Sequence, residues 1–272
     1  MPEISAPDGV TLHWEERGSG PTVLLAPYWN MHPSIFDPIE EVLAQRFRIV
    51  RFDDRGTGQS DRVGPYDLET AVADLRAICE EAGPVELALC LVDATNRAVR
   101  IADAEPGLIN RVFSIGSAPF GMGALSDSDS LLSSETVVRT YLQQLDADYR
   151  GALRAAISGA NAQLTEDEVR ERVQMQFDYA DADAAAVRAR EWAMDRDAQE
   201  PGRRLGQRLT VCLSKSMGGR GSWFPAPEEM QPLVREFFPD AQLYWAEDGI
   251  VSAPGEVAEL MNLSLETYDR QR

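Results

Sequence analysis

Histidine is scarce in this chain, with only His13 and His32 among 272 residues. Cysteine is nearly as rare, and Cys79, Cys90 and Cys212 have neither the even count of a disulfide framework nor metal-ligand spacing. Cys90 and Cys212 lie within apolar runs, where thiols pack as small hydrophobic groups. The sequence also has no dinucleotide-binding glycine motif and no phosphate-binding loop. We therefore expect no metal and no cofactor.

Long apolar runs and basic residues are also lacking. No stretch of about 18 apolar residues occurs, so a membrane span is not expected. The segment MPEISAPDGV has neither the basic nor the apolar part of a secretory signal, which predicts a cytoplasmic protein. Asp and Glu outnumber Lys and Arg by 45 to 26, a net charge of −19 at pH 7. Such a surface repels phosphate backbones and anionic lipids, so neither nucleic acid nor a membrane is an expected partner.

The composition and the periodicity indicate a globular α/β chain. Hydrophobic residues make up 44% of the sequence and charged residues 26%, which allows a sizeable core. Strand-like runs are GVTLHWEE, TVLLA, FRIVRFD, VELALCLV and RVFSIGS, followed near the C-terminus by RLTVCLS and AQLYWAE. Helical patterns cover residues 34–45, 67–82, 94–104 and 254–271. This alternation predicts a parallel sheet with helices on both faces.

Residues 121–208 differ from the rest, because they contain no clear strand and are rich in Ala, Arg, Asp and Glu. The segments ETVVRTYLQQL, DEVRERVQMQF and AAAVRAREWAM have helical periodicity. We interpret this stretch as a helical insertion that lies over the sheet. The core then consists of residues 1–120 and 209–272.

Residues 53–60, with the sequence DDRGTGQS, follow the third strand-like run. They are similar to the D-x-R-G-x-G-x-S stretch after the fourth strand of many α/β-hydrolases, and the layout of essentially the whole chain resembles that fold. The resemblance implies an α/β protein with a mostly parallel eight-stranded sheet flanked by helices. It also implies a helical cap inserted after strand six.

In this family a nucleophile elbow, G-x-S-x-G, follows the fifth strand and exposes the nucleophile on a sharp turn. The corresponding stretch here is CLVDAT, residues 90–95. Counting back from the helix end places Val92 at the nucleophile position, with Ala94 and Thr95 in the usual small-residue places. A register one residue later would put Asp93 at the apex, as in family members with an aspartate nucleophile. Asp93 can also be the N-cap of the following helix.

The resemblance further implies a histidine base after the last strand and a carboxylate after the strand before it. Ile250 stands where the base is expected, and residues 215–221 after LTVCLS contain no carboxylate. A serine nucleophile needs the histidine to accept its proton, and an alkyl-aspartate intermediate needs it to activate water. Because Val92 cannot attack a carbonyl, we predict a degenerate triad at which the usual hydrolysis does not proceed.

Two further loops differ from the pattern of the family. Ser216 begins an S-M-G-G sequence like that of an elbow, but neither a helical pattern nor a histidine follows it, which favours a glycine-rich loop. After the third strand the family often has His-Gly, whose backbone N–H groups bind the oxyanion. This chain has Pro27, Tyr28 and Trp29 there, so one donor is lost and two aromatic side chains are added.

The crevice at the carboxyl ends of the strands is where open α/β sheets bind ligands. We predict Asp93 as the catalytic acid or base, because an apolar cap would raise the pKa of its carboxyl group, with Tyr28 as proton donor or oxyanion partner. The predicted substrate-binding residues are Trp29, Asn30, His32, Asp54, Arg55, Tyr179, Trp192, Lys215, Ser216 and Asp248. Each also has a structural interpretation, for example Asp54 and Arg55 as hydrogen-bonded turn residues and Trp192 as a seal between cap and core.

Two functions are compatible with these changes. The first is a non-hydrolytic enzyme, such as a cyclase, lyase, dehydratase or isomerase of the kind used in secondary metabolism. It would act on a hydrophobic small molecule by positioning and proton transfer. The alternative is a catalytically silent protein that binds a ligand or a protein partner. The long cap favours an enclosed pocket and hence the enzyme, which we expect to be a monomer or a homodimer.

Overall fold

A computed structural model describes residues 3–28, 31–121, 143–144, 147–160, 164–216 and 226–270. The strands are β1 (Glu3–Ser5), β2 (Thr11–Gly18), β3 (Thr22–Ala26), β4 (Arg48–Phe52), β5 (Val85–Leu91), β6 (Ile109–Ile115), β7 (Leu209–Ser214) and β8 (Gln242–Ala246). The helices are α1 (Asp37–Leu43), α2 (Leu68–Ala82), α3 (Asp93–Ala104), α4 (Tyr149–Ala160), α5 (Glu166–Tyr179), α6 (Ala182–Met194), α7 (Gln199–Leu205), α8 (Pro227–Phe237) and α9 (Pro254–Arg270). Short 3-10 helices lie at Pro33–Phe36 and Gly206–Arg208.

The strands form one sheet in the order β1-β2-β4-β3-β5-β6-β7-β8. β2 is antiparallel to β1 and to β4, and the remaining pairings are parallel. The parallel strands are covered on both faces, which is why β3 and β5 occur in the sequence as continuous apolar runs. The prediction of a mostly parallel eight-stranded sheet is confirmed. β1, a three-residue edge strand, has no recognisable pattern in the sequence.

Each face of the sheet carries its own layer of buried apolar side chains, and successive residues of β5 alternate between them. Leu87 and Leu89 pack in the layer of α1 and α9, whereas Ala88 and Cys90 pack in the layer of α2, α3 and α8. All four side chains are fully buried. Because the parallel strands end at one edge, the loops that follow them meet there, and a ligand site is expected at that edge.

The predicted limits of α2, α3 and α9 agree with the structure to within one residue. The Asp67 side chain accepts the backbone N–H of Thr70 and caps α2, which ends at Gly83 with a φ of 79°. The helix predicted over residues 34–45 is split into a 3-10 helix and α1, because Pro38 lacks the N–H group needed to continue the first one. Among the described helices, none combines the length and the apolar surface that a membrane crossing requires.

Helices α4 to α7 lie in the chain between β6 and β7, in the stretch predicted to be a helical insertion. α4 and α5 pack on each other through Leu153, Ile157, Val169 and Val173. α6 and α7 instead contact α3 of the core, and α6 also contacts α2. The predicted helix ETVVRTYLQQL falls almost wholly outside the described residues. The division into a core and a cap of residues 121–208 therefore stays a prediction.

Candidate active site

The turn between β5 and α3 has the geometry of an elbow, with Val92 at its apex. Val92 has a φ of 49° and a ψ of −116°, and in the described part of the chain it is the only non-glycine residue with positive φ. A β-branched residue is strained in this conformation, so the surrounding structure must hold it there. Its side chain is buried. The structure thus places Val92, and not Asp93, at the apex.

Asp93 is the first residue of α3, and its carboxylate lies in a buried cluster of two acidic and two basic side chains. One of its oxygens is 3.3 Å from Arg97 Nε and 3.2 Å from the Arg188 guanidinium. Asp54 lies 2.7 Å from Arg97 and 3.6 Å from Arg188. None of the four residues is more than 4% exposed. Because Arg188 belongs to α6, this ion-pair tetrad (Asp54, Asp93, Arg97 and Arg188) joins the inserted helices to the core.

The tetrad is not the apolar environment that the prediction for Asp93 assumed. Burial alone would raise the pKa of Asp54, but the Arg97 and Arg188 guanidiniums hold it below its ordinary value. Asp93 faces the same two guanidiniums, and its carboxylate binds them instead of capping α3. The structure therefore places Asp54 and Asp93 in an ion-pair network, and their substrate-binding and acid–base roles stay predictions.

Replacing Arg97 with methionine is expected to lower the free energy of unfolding by about 3–5 kcal/mol. Asp54 and Asp93 would then share the single Arg188 guanidinium in a buried site. Urea denaturation at pH 7 measures the loss. The matched control is Arg204→Met, which breaks an exposed ion pair with Asp103 and should cost at most about 1 kcal/mol. Equal losses in the two variants would contradict a structural role for the tetrad.

The glycine-rich turn of residues 53–60 holds the junction between α5 and α6. Gly58 N–H donates to the Tyr179 carbonyl at 2.8 Å, and Asp181 N–H donates to the Gly56 carbonyl at 2.7 Å. The Tyr179 hydroxyl donates to Asp53 at 2.7 Å. Gly58 has a φ of 49°, and a Cβ there would overlap the Asp53 carboxylate, so this position requires glycine. The DDRGTGQS motif of residues 53–60 therefore holds the inserted helices against the sheet through these hydrogen bonds.

Arg55 and Trp192, predicted to bind substrate, are both buried. Arg55 is buried and forms ion pairs with Asp8 at 2.6 Å and with Asp74 at 2.8 Å. These contacts match its interpretation as a turn residue, because its donors already have carboxylate partners. Trp192 is buried on α6. Trp29 and Asn30, also predicted to bind substrate, lie outside the described residues.

The predicted residues after β7 and β8 form a separate group at the sheet edge. The Ser216 hydroxyl donates to Asp248 at 2.5 Å, and this hydrogen bond lowers the pKa of the Asp248 carboxyl group. Lys215 forms an exposed ion pair with Glu247. Ile250 is buried in the apolar layer of α1 and α9. Ser216 thus has an acidic partner here, but the chain has no histidine near these positions.

A cavity of about 630 Å³ lies between the loop after β3 and the helices α4 and α5. Two predicted residues, Tyr28 and His32, are brought together in its wall. The other lining residues are Met31, Ser34, Ile35, Ile157, Glu168, Glu171, Arg172, Met175, Gln176 and Val251. Tyr179 is not in this wall but borders neighbouring cavities that also reach His32. Among the described residues, no three His, Cys, Asp or Glu side chains are grouped to hold a metal ion.

The cavity wall contains a hydroxyl group in contact with an imidazole. Ser34 Oγ is 2.9 Å from His32 Nδ1. The backbone N–H of Ser34 also donates to Nδ1, at 3.2 Å, so this nitrogen is the unprotonated one and Nε2 carries the hydrogen. The Ser34 hydroxyl can therefore donate its proton to Nδ1. The same contacts cap the 3-10 helix at Pro33–Phe36. Both side chains are half-buried, which leaves them open to a ligand.

Two side chains of α5 contact His32. Gln176 of α5 accepts the backbone N–H of His32 at 2.8 Å, and the rings of His32 and Tyr179 lie 4.7 Å apart. Burial and the nearby Asp93 carboxylate raise the pKa of Tyr28, so its hydroxyl stays protonated and can donate a hydrogen bond.

Sequence reasoning missed Ser34 and Gln176. The spacing of His32 and Ser34 was the available signal for Ser34, whereas nothing local marks Gln176.

No protein-family model matches the chain. The chain is 35% identical over 88 residues to Probable oxidoreductase EphD of Mycobacterium tuberculosis, covering 30% of this chain and 15% of that protein. It is 25% identical over 143 residues to the pimeloyl-(acyl-carrier protein) methyl ester esterase of Nitrosomonas europaea, covering 50% and 55% of the two chains. The chain thus spans about half the length of that esterase and much less of EphD. The structure of a thermophilic esterase from Thermogutta terrifontis superimposes with a TM-score of 0.72 at 18% identity, covering 100% of this chain and 99% of that one.

These comparisons overturn the prediction of a non-hydrolytic cyclase, lyase, dehydratase or isomerase, and also its alternative of a catalytically silent binding protein. Further matches include an epoxide hydrolase and a zearalenone hydrolase as well as two haloperoxidases, so most of the similar proteins named here, with the two esterases above, are hydrolases. The prediction was wrong because it treated the changed elbow as the loss of the reaction class. With its eight-stranded sheet, the elbow between β5 and α3 and the helices between β6 and β7, the chain has the α/β-hydrolase fold.

Proposed function

We propose that this chain is a hydrolase of small organic esters whose nucleophile is Ser34. The observation that carries the proposal is the 2.9 Å contact between Ser34 Oγ and His32 Nδ1 in the wall of a cavity of about 630 Å³. A hydroxyl within hydrogen-bond reach of an imidazole is the arrangement that activates a serine. The relatives in sequence and structure, which include esterases, support the same reaction class.

The proposed reaction has two steps, acylation of Ser34 and hydrolysis of the acyl group, and His32 moves the proton in both. His32 Nδ1 accepts the hydroxyl proton as Ser34 Oγ attacks the ester carbonyl, and the Tyr28 hydroxyl donates to the oxyanion. The imidazolium then protonates the departing alkoxide, which leaves an acyl group on Ser34. A water molecule then attacks the acyl group and gives a proton to the same nitrogen. As the acid is released, the imidazolium returns this proton to Ser34 Oγ, which restores both the hydroxyl and the neutral imidazole.

This proposal departs from the serine–histidine–acid arrangement at the sheet edge. The apex residue is Val92 and the position after β8 is Ile250, so neither usual place supplies a nucleophile or a base. The nucleophile and the base both come instead from the segment between β3 and α1.

The cavity wall indicates the kind of ester. Met31, Ile35 and Ile157 line it together with Met175 and Val251, which are partly exposed at 38% and 41%. These five apolar side chains suit a hydrophobic acyl or alcohol part of the substrate, while Glu168, Glu171 and Arg172 make another part of the wall charged.

Covalent labelling tests the proposed nucleophile. We expect a biotinylated fluorophosphonate to modify the chain once, and peptide mass spectrometry to place the modification on Ser34. Ser34→Ala and His32→Gln should abolish labelling, because one removes the attacking oxygen and the other removes the base. The control Ser216→Ala should be labelled like the unmodified chain. The Ser216 hydroxyl donates a hydrogen bond to Asp248 and has no histidine beside it in the sequence to act as its base. Modification of a different serine, or none at all, would disprove the proposal.

A further inference from the structure

Gln176 is a buried amide that holds the segment carrying the serine–histidine pair. It lies on α5 and is 3% exposed. Its side-chain oxygen accepts the backbone N–H of His32 at 2.8 Å, and its Nε2 is 2.9 Å from Met31 Sδ. The two ends of the amide therefore contact two consecutive residues, Met31 and His32, which immediately precede the 3-10 helix that contains Ser34.

Two contacts of His32 come from the same inserted helix. Tyr179, the last residue of α5, places its ring 4.7 Å from the imidazole and is itself fixed to Asp53 at 2.7 Å. α5 packs on α4 through its own apolar cluster. Gln176 thus connects the position of the imidazole to the position of the inserted helices, which also form one wall of the cavity.

We propose that Gln176 is a positioning residue for His32, so that the serine–histidine pair is aligned only when α5 is seated on the core. The inference rests on the proposed function for its catalytic consequence. The physical reason is that Nδ1 must stay within hydrogen-bond reach of Ser34 Oγ. Displacements of about 1 Å at a reacting pair can lower a rate by up to about a hundredfold.

The kinetic test compares four variants in the intact chain. In Gln176→Met and Gln176→Asn the oxygen that accepts the His32 N–H is absent or out of reach. Gln176→Glu keeps an acceptor at the same distance. Gln174→Met is the matched control, because Gln174 lies on the same helix but bonds Asp178 on its exposed side. For Gln176→Met and Gln176→Asn we expect the maximal rate of fluorophosphonate labelling to fall by about tenfold or more. The probe concentration that gives half of the maximal rate should stay unchanged. The Glu variant and the control should keep the original rate within about threefold.

A second readout does not depend on any activity. The chain has two histidines, so imidazole ¹⁵N spectra contain one set of signals for His32 and one for His13. His32 should show the tautomer with hydrogen on Nε2, and Gln176→Met should shift or broaden only these signals. His13, which is buried on β2, reports that the sheet is intact.

The two readouts separate the inference from the function on which it rests. If Ser34 is never labelled but the His32 signals respond to Gln176→Met and not to Gln174→Met, the proposed function fails and the positioning role stands. If Ser34 is labelled and the Met and Asn variants match the control in rate and in His32 signals, the positioning role is disproved. If Ser34 is not labelled and Gln176→Met leaves the His32 signals unchanged, the positioning role is disproved together with the proposed function.

Discussion

Replacing Ser34 with alanine is expected to lower kcat/KM for a small aryl ester by at least about a thousandfold. The attacking oxygen would be absent, while the Tyr28 hydroxyl and the rest of the cavity wall would remain. KM should change little, because the hydroxyl contributes to the transition state more than to the binding of the ester. His32→Gln should cause a loss of similar size, since members of one catalytic pair act as a unit.

The measurement is steady-state hydrolysis of a series of aryl esters with acyl chains of increasing length. Ser216→Ala is the matched control, because it removes a hydroxyl from the loop after β7, away from the serine–histidine pair. Its rate should stay within about twofold of the original. A rate for Ser34→Ala that equals that of the control would contradict the proposed nucleophile. Retained solubility and an unchanged circular dichroism spectrum would show that the fold is intact.

The free energy of unfolding is expected to fall steeply as the pH rises from about 9 to about 12. Burial raises the pKa of Cys79 and of Cys212 each to about 12, and also raises that of Cys90. In the unfolded chain a thiol loses its proton near pH 8.5, while the folded chain still holds it, so the unfolded state binds fewer protons. Each thiol then costs about 1.4 kcal/mol per pH unit, and the three together cost about 4 kcal/mol per unit.

The sign of this dependence follows from the raised pKa values. The stabilisation is complete below the unfolded pKa and is lost as the pH rises towards the folded value. Burial of Tyr28 and Tyr179 adds to the slope above about pH 10, because their pKa values are also raised. Since a domain is stable by only about 5–15 kcal/mol, we expect the chain to unfold within a few pH units.

Urea denaturation between pH 8 and pH 11, followed by tryptophan fluorescence, measures the slope. Cys79→Ala should reduce it by about one third, because one of three buried thiols is removed. Alanine fills nearly the same space as cysteine. The free energy of unfolding at pH 7 should therefore fall by a much smaller fraction than the slope does. A slope unaffected by Cys79→Ala would show that this thiol is not held protonated by the fold.

The sequence by itself determined the sheet and most of the helices that cover it. β3 coincides with the run TVLLA, and β5 with all but the last residue of VELALCLV, because a strand buried on both faces must be apolar throughout. α2 was located by its periodicity and by Gly83 at its end. These signals are local, so they can be detected without knowing which strands are neighbours. The three-residue β1 was missed because so short a segment has no periodicity.

The sequence also placed Val92 at the turn after β5, because the count from the end of α3 and the small residues after it are local features as well. It predicted Tyr28 and His32 as site residues, which stays a prediction, and the two line the same cavity. It did not identify Ser34 as a partner of His32. The two residues are close in sequence, but only the backbone of the 3-10 helix brings Oγ to Nδ1.

Only the tertiary structure decided the environment of the charged residues. Arg188 is 95 positions from Asp93, and no pattern in the sequence indicates that α6 brings its guanidinium to the elbow. The same is true of Gln176 and His32, which are 144 positions apart. Whether a carboxylate is a free acid or an ion-pair partner depends on contacts within about 4 Å. For Asp93 one such contact is Arg97 on its own helix, and another is Arg188 on a distant helix. The fold could be predicted because it follows from local patterns, whereas the chemistry of the site depends on which remote side chains the packing brings together.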